Sequence, residues 1–192
     1  MLKTILATMT VATLGISISY ASPAPVKPAY PAPAPFSLVD TNGKTQTLAG
    51  LRGRPVVLFF FCGCNWCAAE AKQWGQMQHQ GALASGSGKS ASDPTTVVVF
   101  TGDADSEKSF ADQTGLDLKN TVLLPDPTMK VTMSYKSETC PRVFVISPSG
   151  KVAYTNNHKD DAPRQAPAEV IADLALSAAR GSVVVPKSGG GK

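Results

Sequence analysis

The chain has 192 residues, of which 43% are hydrophobic and 17% charged, with a formal net charge of +4 at pH 7. That length and balance fit one globular domain with appendages. The positive excess is small and scattered, and no Lys/Arg-rich run carries interleaved aromatics, which excludes nucleic acid as the partner.

Residues 1–21 read as a secretory signal peptide: Lys3 is the positive start, residues 5–18 an apolar stretch, and Ser19-Tyr20-Ala21 a small-x-small cleavage pattern. The competing reading is an uncleaved membrane anchor, but the stretch is short and diluted by Thr and Ser. No cysteine lies there to take a lipid, and no other segment has transmembrane length, so no stable membrane insertion is expected after cleavage. Residues 22–35, rich in Pro and Ala, form an extended linker. The folded domain is expected over 36–180, followed by a loose tail over 181–192.

Residues 36–40 alternate like a short strand, and Asn42-Gly43 marks a tight turn. Residues 56–61 (Val-Val-Leu-Phe-Phe-Phe) are β-branched and aromatic without charge, the pattern of a buried strand. Cys62, Cys64 and Cys67 follow within six residues. The next stretch reads as a helix with Cys67, Ala71, Trp74 and Met77/Gln78 on its inner face and Glu70 elsewhere, as a solvated charge or a proton carrier for Cys67. The thiols thus fall on a strand-to-helix turn, with Cys64 at the helix N-terminus, where unpaired N–H groups and the helix dipole favour a thiolate. A thiolate beside a second thiol is what dithiol/disulfide exchange requires.

The Gly86–Ser90 run ends in Gly-Lys-Ser but lacks the spacing and preceding strand of a phosphate loop, and reads as a flexible loop. No cofactor is assigned. A second strand is predicted over 96–101, a helix over 106–114 closed by Gly115, a short strand over 122–124, a turn at Pro125-Asp126-Pro127 and a short helix. Residues 143–146 and 152–154 form a hairpin around Pro148-Ser149-Gly150. A helix over 167–180 closes the domain, with Val170, Ile171, Leu174 and Ala178 inward. His79 and His158 have no ligand-like spacing and read as surface residues. This order implies an α/β fold, a mixed sheet covered on both faces, with the thiols on its first βα turn.

Three segments carry a resemblance. Residues 36–43 with Leu51-Arg-Gly-Arg-Pro55, residues 60–70 around Cys64-Asn65-Trp66-Cys67, and Thr139-Cys140-Pro141-Arg142 with the following strand are similar, in this order, to the thioredoxin-like superfamily. Within it the chain resembles exported redoxins, thiol–disulfide oxidoreductases and the related peroxiredoxin group. The resemblance implies a thioredoxin-like mixed sheet with helices on both faces, Cys64 as attacking thiol, Cys67 as resolving thiol, and Pro141 as a cis-proline beside them. The implied partners are protein thiols and disulfides and an unidentified electron donor.

Two departures leave alternatives open. Cys62 makes a CxC with Cys64, and either relays a mixed disulfide or packs inertly at the strand end. Cys140, before the cis-proline, either joins the redox chemistry or packs. Four cysteines allow three full pairings, but a structural framework is disfavoured: three of them are too close together to staple distant parts, and roughly 145 residues bury a core unaided. Two other functions compete with disulfide exchange. One is a peroxidase with Cys67 oxidised by peroxide; Cys67-Ala-Ala-Glu70 resembles that site, but Cys64 stands where a Thr is expected and Pro141 where an Arg is, with Arg142 adjacent. The other is a soft-metal carrier with Cys62, Cys64, Cys67 and Cys140 as thiolate ligands to Cu(I) or Zn(II).

Overall fold

A computed structural model describes residues 30–83, 93–156 and 168–181. The leader, most of the linker, the Gly86–Ser90 run, His158 and the tail beyond Gly181 lie outside the described residues. A small antiparallel hairpin, β1 (Ser37–Val39) and β2 (Thr45–Thr47), turns at Asn42-Gly43. Asp40 holds the turn by accepting from the Asn42 and Lys44 N–H groups, both at 2.9 Å.

The main sheet has five strands: β3 (Val56–Phe61), β4 (Thr95–Phe100), β5 (Thr121–Pro125), β6 (Arg142–Ile146) and β7 (Val152–Thr155). Their spatial order is β5-β4-β3-β6-β7. β3 runs parallel to β4 and antiparallel to β6, so the sheet is mixed, as expected. The unbroken apolar run of β3 has its reason here: it is the central strand, every residue from Val56 to Phe61 is buried, and alternate side chains enter two different cores.

On one face, Val57, Phe59 and Phe61 meet three helices: α1 (Asn65–His79), α2 (Ala104–Thr114) and α4 (Ala168–Ala179). Trp74 of α1 anchors this side, its ring edge-on to Phe59 at 5.2 Å and its indole N–H donating to the Thr96 hydroxyl at 3.0 Å. Burying each such large side chain contributes about 1.5–3 kcal/mol. On the other face, Val56, Leu58 and Phe60 meet Phe36, Leu48 and the short helix α3 (Lys130–Ser134) with Tyr135 beyond it.

The α4 register differs from the sequence expectation. Ile171, Leu174 and Ala178 point inward, but Val170 is exposed and its place is taken by Ala172 and Ala175. The helix packs close to its neighbours through small residues, which turns the larger Val170 outward. Among the described residues, no helix is long and apolar enough to cross a membrane.

Candidate active site at the strand-to-helix turn

The apolar run of β3 stops at Phe61, and the chain turns through Cys62 and Gly63 into α1. Gly63 has φ +81°, and a Cβ there would lie 3.3 Å from the Phe100 ring, so glycine suits both the backbone and the space. Cys64 is the N-cap of α1, and Cys67 sits one turn inside it. Cys64 is half-buried and Cys67 fully buried; both are free thiols, with their sulfurs 3.5 Å apart. Burial works against the Cys64 thiolate, yet hydrogen bonds from the Cys67 N–H and thiol and from the Trp66 N–H outweigh it and lower its pKa from the ordinary thiol value. At Cys67 burial dominates and pushes the pKa up to about 12. Two cysteines in one motif are thereby made unequal: the outer thiol is the more exposed and the more acidic, the inner one is buried and held protonated.

The other two cysteines reach the same spot. Cys62 and Cys140 are joined by a disulfide across 78 residues of sequence. The sheet register explains it. Phe60 of β3 pairs with Arg142 of β6 in an antiparallel ladder, and continuing that ladder two residues beyond the sheet sets Cys62 opposite Cys140. This corrects the expectation that the clustered cysteines do not staple distant parts of the fold: residues distant in sequence are neighbours across β3 and β6. It also leaves Cys62 paired with Cys140 rather than packed as an inert thiol or closed on Cys64. The Cys67 sulfur lies 3.8 Å from that of Cys62 and also accepts from the Cys62 N–H at 3.4 Å. All four sulfurs lie within 4.8 Å of one another.

The Cys140–Pro141 bond is cis. The Asn156 side chain braces the segment after it: its Oδ1 accepts from the Val143 N–H at 2.9 Å and its Nδ2 donates to the Pro141 carbonyl at 3.4 Å. Sequence reasoning missed Asn156, which follows β7 with no local motif. Arg142 is buried, and its guanidinium donates to the Asn156 carbonyl at 3.0 Å.

Glu70 overturns its reading as a solvated surface charge. It is 1% exposed, and neither carboxylate oxygen has a hydrogen-bond partner among the described residues. Burial raises its pKa to about 7. The signal was present in the spacing: Glu70 stands three residues after Cys67 and four before Trp74, on the buried stripe of α1. His79 is exposed, with its ring nitrogen 3.1 Å from the Gly115 carbonyl.

A profile of the redoxin family matches residues 27–173. The chain belongs to the redoxin family. Solved structures similar to this redoxin agree on the fold. A putative thiol:disulfide interchange protein DsbE from Chlorobium tepidum is 22% identical, with a TM-score of 0.59, covering 77% of this chain and 95% of that one. A secreted Mycobacterium tuberculosis disulfide oxidoreductase is 21% identical, with a TM-score of 0.54 and coverage of 76% and 95%. The peroxidoxin BcpB of the same organism is 23% identical, with a TM-score of 0.56 and coverage of 79% and 95%. No curated protein sequence matches the chain. The fold of this redoxin is thus shared by proteins described as a disulfide oxidoreductase and as a peroxidoxin.

Proposed function

We propose that this redoxin is a thiol–disulfide oxidoreductase acting on exported proteins through the Cys64–Cys67 dithiol. The observation that carries the reading is the inequality of the two thiols: Cys64 is accessible with a lowered pKa, and Cys67 waits 3.5 Å behind it with a pKa of about 12.

The Cys64 thiolate attacks one sulfur of a partner's disulfide, forming a mixed disulfide and releasing the partner's other sulfur as a thiolate. Cys67 then loses its proton and attacks Cys64. The Cys64–Cys67 bond forms, the mixed disulfide breaks, and the partner leaves reduced. Cys67 needs a base, because its thiol is protonated at neutral pH. Glu70, one helical turn away with a pKa of about 7, is suited to take that proton. Pro141, joined to Cys140 by a cis bond, borders the site through the Cys140 half of the Cys62–Cys140 disulfide. The same steps in reverse oxidise a dithiol partner, and an electron donor resets the pair in the reducing direction. The reading of residues 1–21 as a signal peptide supports a location outside the cytosol, in the periplasm or beyond, where disulfide substrates exist. The secreted oxidoreductase among its structural relatives is in keeping with that place.

The competing functions fit the geometry less well. A peroxidatic cysteine must be an accessible thiolate, and Cys67 is neither. Arg142, the nearest cation to the cis-proline in sequence, is engaged with the Asn156 carbonyl. As a four-thiolate metal site, the cluster has two of its sulfurs committed to the Cys62–Cys140 bond.

The test is thiol trapping with mass mapping in glutathione buffers of graded potential. A reversible two-electron Cys64–Cys67 couple is expected, and its midpoint gives the direction of electron flow. Absence of that couple, with sulfenic acid forming on Cys67 after peroxide, overturns the reading.

A further inference from the structure

We propose that Cys62–Cys140 is a second redox couple, exchanging electrons with the Cys64–Cys67 dithiol inside the molecule. This rests on the proposed exchange function of Cys64 and Cys67 and extends it from one disulfide to two.

A disulfide that serves only to brace a fold is shielded from free thiols, since any thiolate that reaches it exchanges with it. Here the free Cys67 sulfur is 3.8 Å from the Cys62 half of the disulfide, and Cys64 is 3.5 Å from Cys67. Cys67 thus touches both its CxxC partner and one half of the disulfide, and all four sulfurs lie within 4.8 Å of one another; a turn of the Cys67 side chain brings it in line with the Cys62–Cys140 bond, with Cys140 as leaving group. The two ends of the relay also differ in access. Cys67 is fully buried, whereas Cys62 is exposed and Cys140 half-buried, so the second couple is open to solvent on its own account.

The relay balances without any further reagent. Deprotonated Cys67 attacks the Cys62 sulfur; the Cys67–Cys62 bond forms, the Cys62–Cys140 bond breaks, and Cys140 leaves as a thiolate that takes up a proton. Cys64, as a thiolate, then attacks Cys67; the Cys64–Cys67 bond forms, the Cys67–Cys62 bond breaks, and Cys62 leaves as a thiolate and is protonated. Two electrons and two protons have passed from the CxxC pair to the Cys62/Cys140 pair. The reverse sequence returns them. The two couples together hold four electrons, and the second couple resets the CxxC from within for one further turnover.

The first experiment traps the intermediate. The Cys64→Ser variant, prepared with Cys62–Cys140 oxidised, is incubated with iodoacetamide, acid-quenched and mapped by mass spectrometry. The relay stops after its first step in this variant, so the Cys62–Cys140 disulfide should be lost and a Cys62–Cys67 disulfide gained, with the label on Cys140. An intact Cys62–Cys140 disulfide, with Cys67 labelled or free, overturns the proposal. The second uses the unaltered protein, in case the variant packs differently. Fully oxidised protein receives one equivalent of dithiothreitol, and the two disulfides are mapped against time. They should relax to a constant ratio at a rate independent of protein concentration. Relaxation that scales with concentration, or a Cys64–Cys67 couple that forms and opens while Cys62–Cys140 never does, overturns the relay and leaves the exchange function standing. Failure of Cys64–Cys67 to form at any potential overturns both.

Discussion

The site turns on small differences between chemically identical residues. Cys64 and Cys67 differ only in position on α1, yet one thiol is lowered in pKa by N–H donors and the other raised by burial to about 12. Cys64→Ser should therefore abolish turnover of a model disulfide, by at least about 10³-fold, whereas Cys67→Ser should accumulate a stable mixed disulfide visible by mass spectrometry. Glu70 has a separate signature. In the proposed mechanism its carboxylate takes the Cys67 proton, so the resolution step in single-turnover kinetics should accelerate as pH rises through about 7, the pKa set by its burial. Glu70→Gln should remove that inflection and slow resolution by about 10²-fold. The importance of Glu70 was half legible in the sequence: its spacing from Cys67 and Trp74 places it on the inner stripe, but its charge argues for the outside. Only the packed helix shows that the stripe prevails.

At the scale of elements, the helices and strands follow their sequence signals closely because each signal is local. The α2 helix ends at Gly115 as read from the sequence, but it begins at Ala104, two residues before the expected start, because Asp103 caps it by accepting from the Ser106 N–H at 2.8 Å. The association of elements is less legible. Gly75 in the middle of α1 looks like a flaw in a helix, but it lets the Gly115 turn at the end of α2 lie against the α1 backbone, and a Cβ there would overlap the Gly115 carbonyl. Gly75→Ala should push the two helices apart and destabilise the fold by about 1–3 kcal/mol, despite its gain in helix propensity, as read from the urea midpoint. Asn156 is a second case. Its buried amide ties the end of β7 to the start of β6 and the cis-proline. Asn156→Ala leaves the Val143 N–H unpaired and should cost about 1–3 kcal/mol.

For the whole molecule, two buried carboxylates make stability depend on pH in a stated direction. Glu107 of α2 is fully buried, with one oxygen accepting from the Leu124 N–H at 3.0 Å and the other without a partner among the described residues. Burial raises its pKa to about 8, and that of Glu70 to about 7, both from an ordinary value of 4.5. A carboxyl raised in the folded state favours folding while protonated in both states, below about pH 4.5, and loses that contribution as pH climbs to its folded pKa. Stability measured by denaturant should thus fall between about pH 5 and 8, and Glu107→Gln should remove the decline between about 7 and 8 and lessen it below 7. The sequence by itself determined the elements, the buried central strand and the Cys64–Cys67 pair at a helix N-terminus, because periodicity, caps and spacing are short-range properties of the chain. The pairing of Cys62 with Cys140, the brace from Asn156 and the burial of Glu70 and Glu107 were decided only by tertiary structure. Each depends on which segments meet, and that is set by the antiparallel register of β3 on β6 and the packing of helices on one face of the sheet, where contacts link residues far apart in sequence.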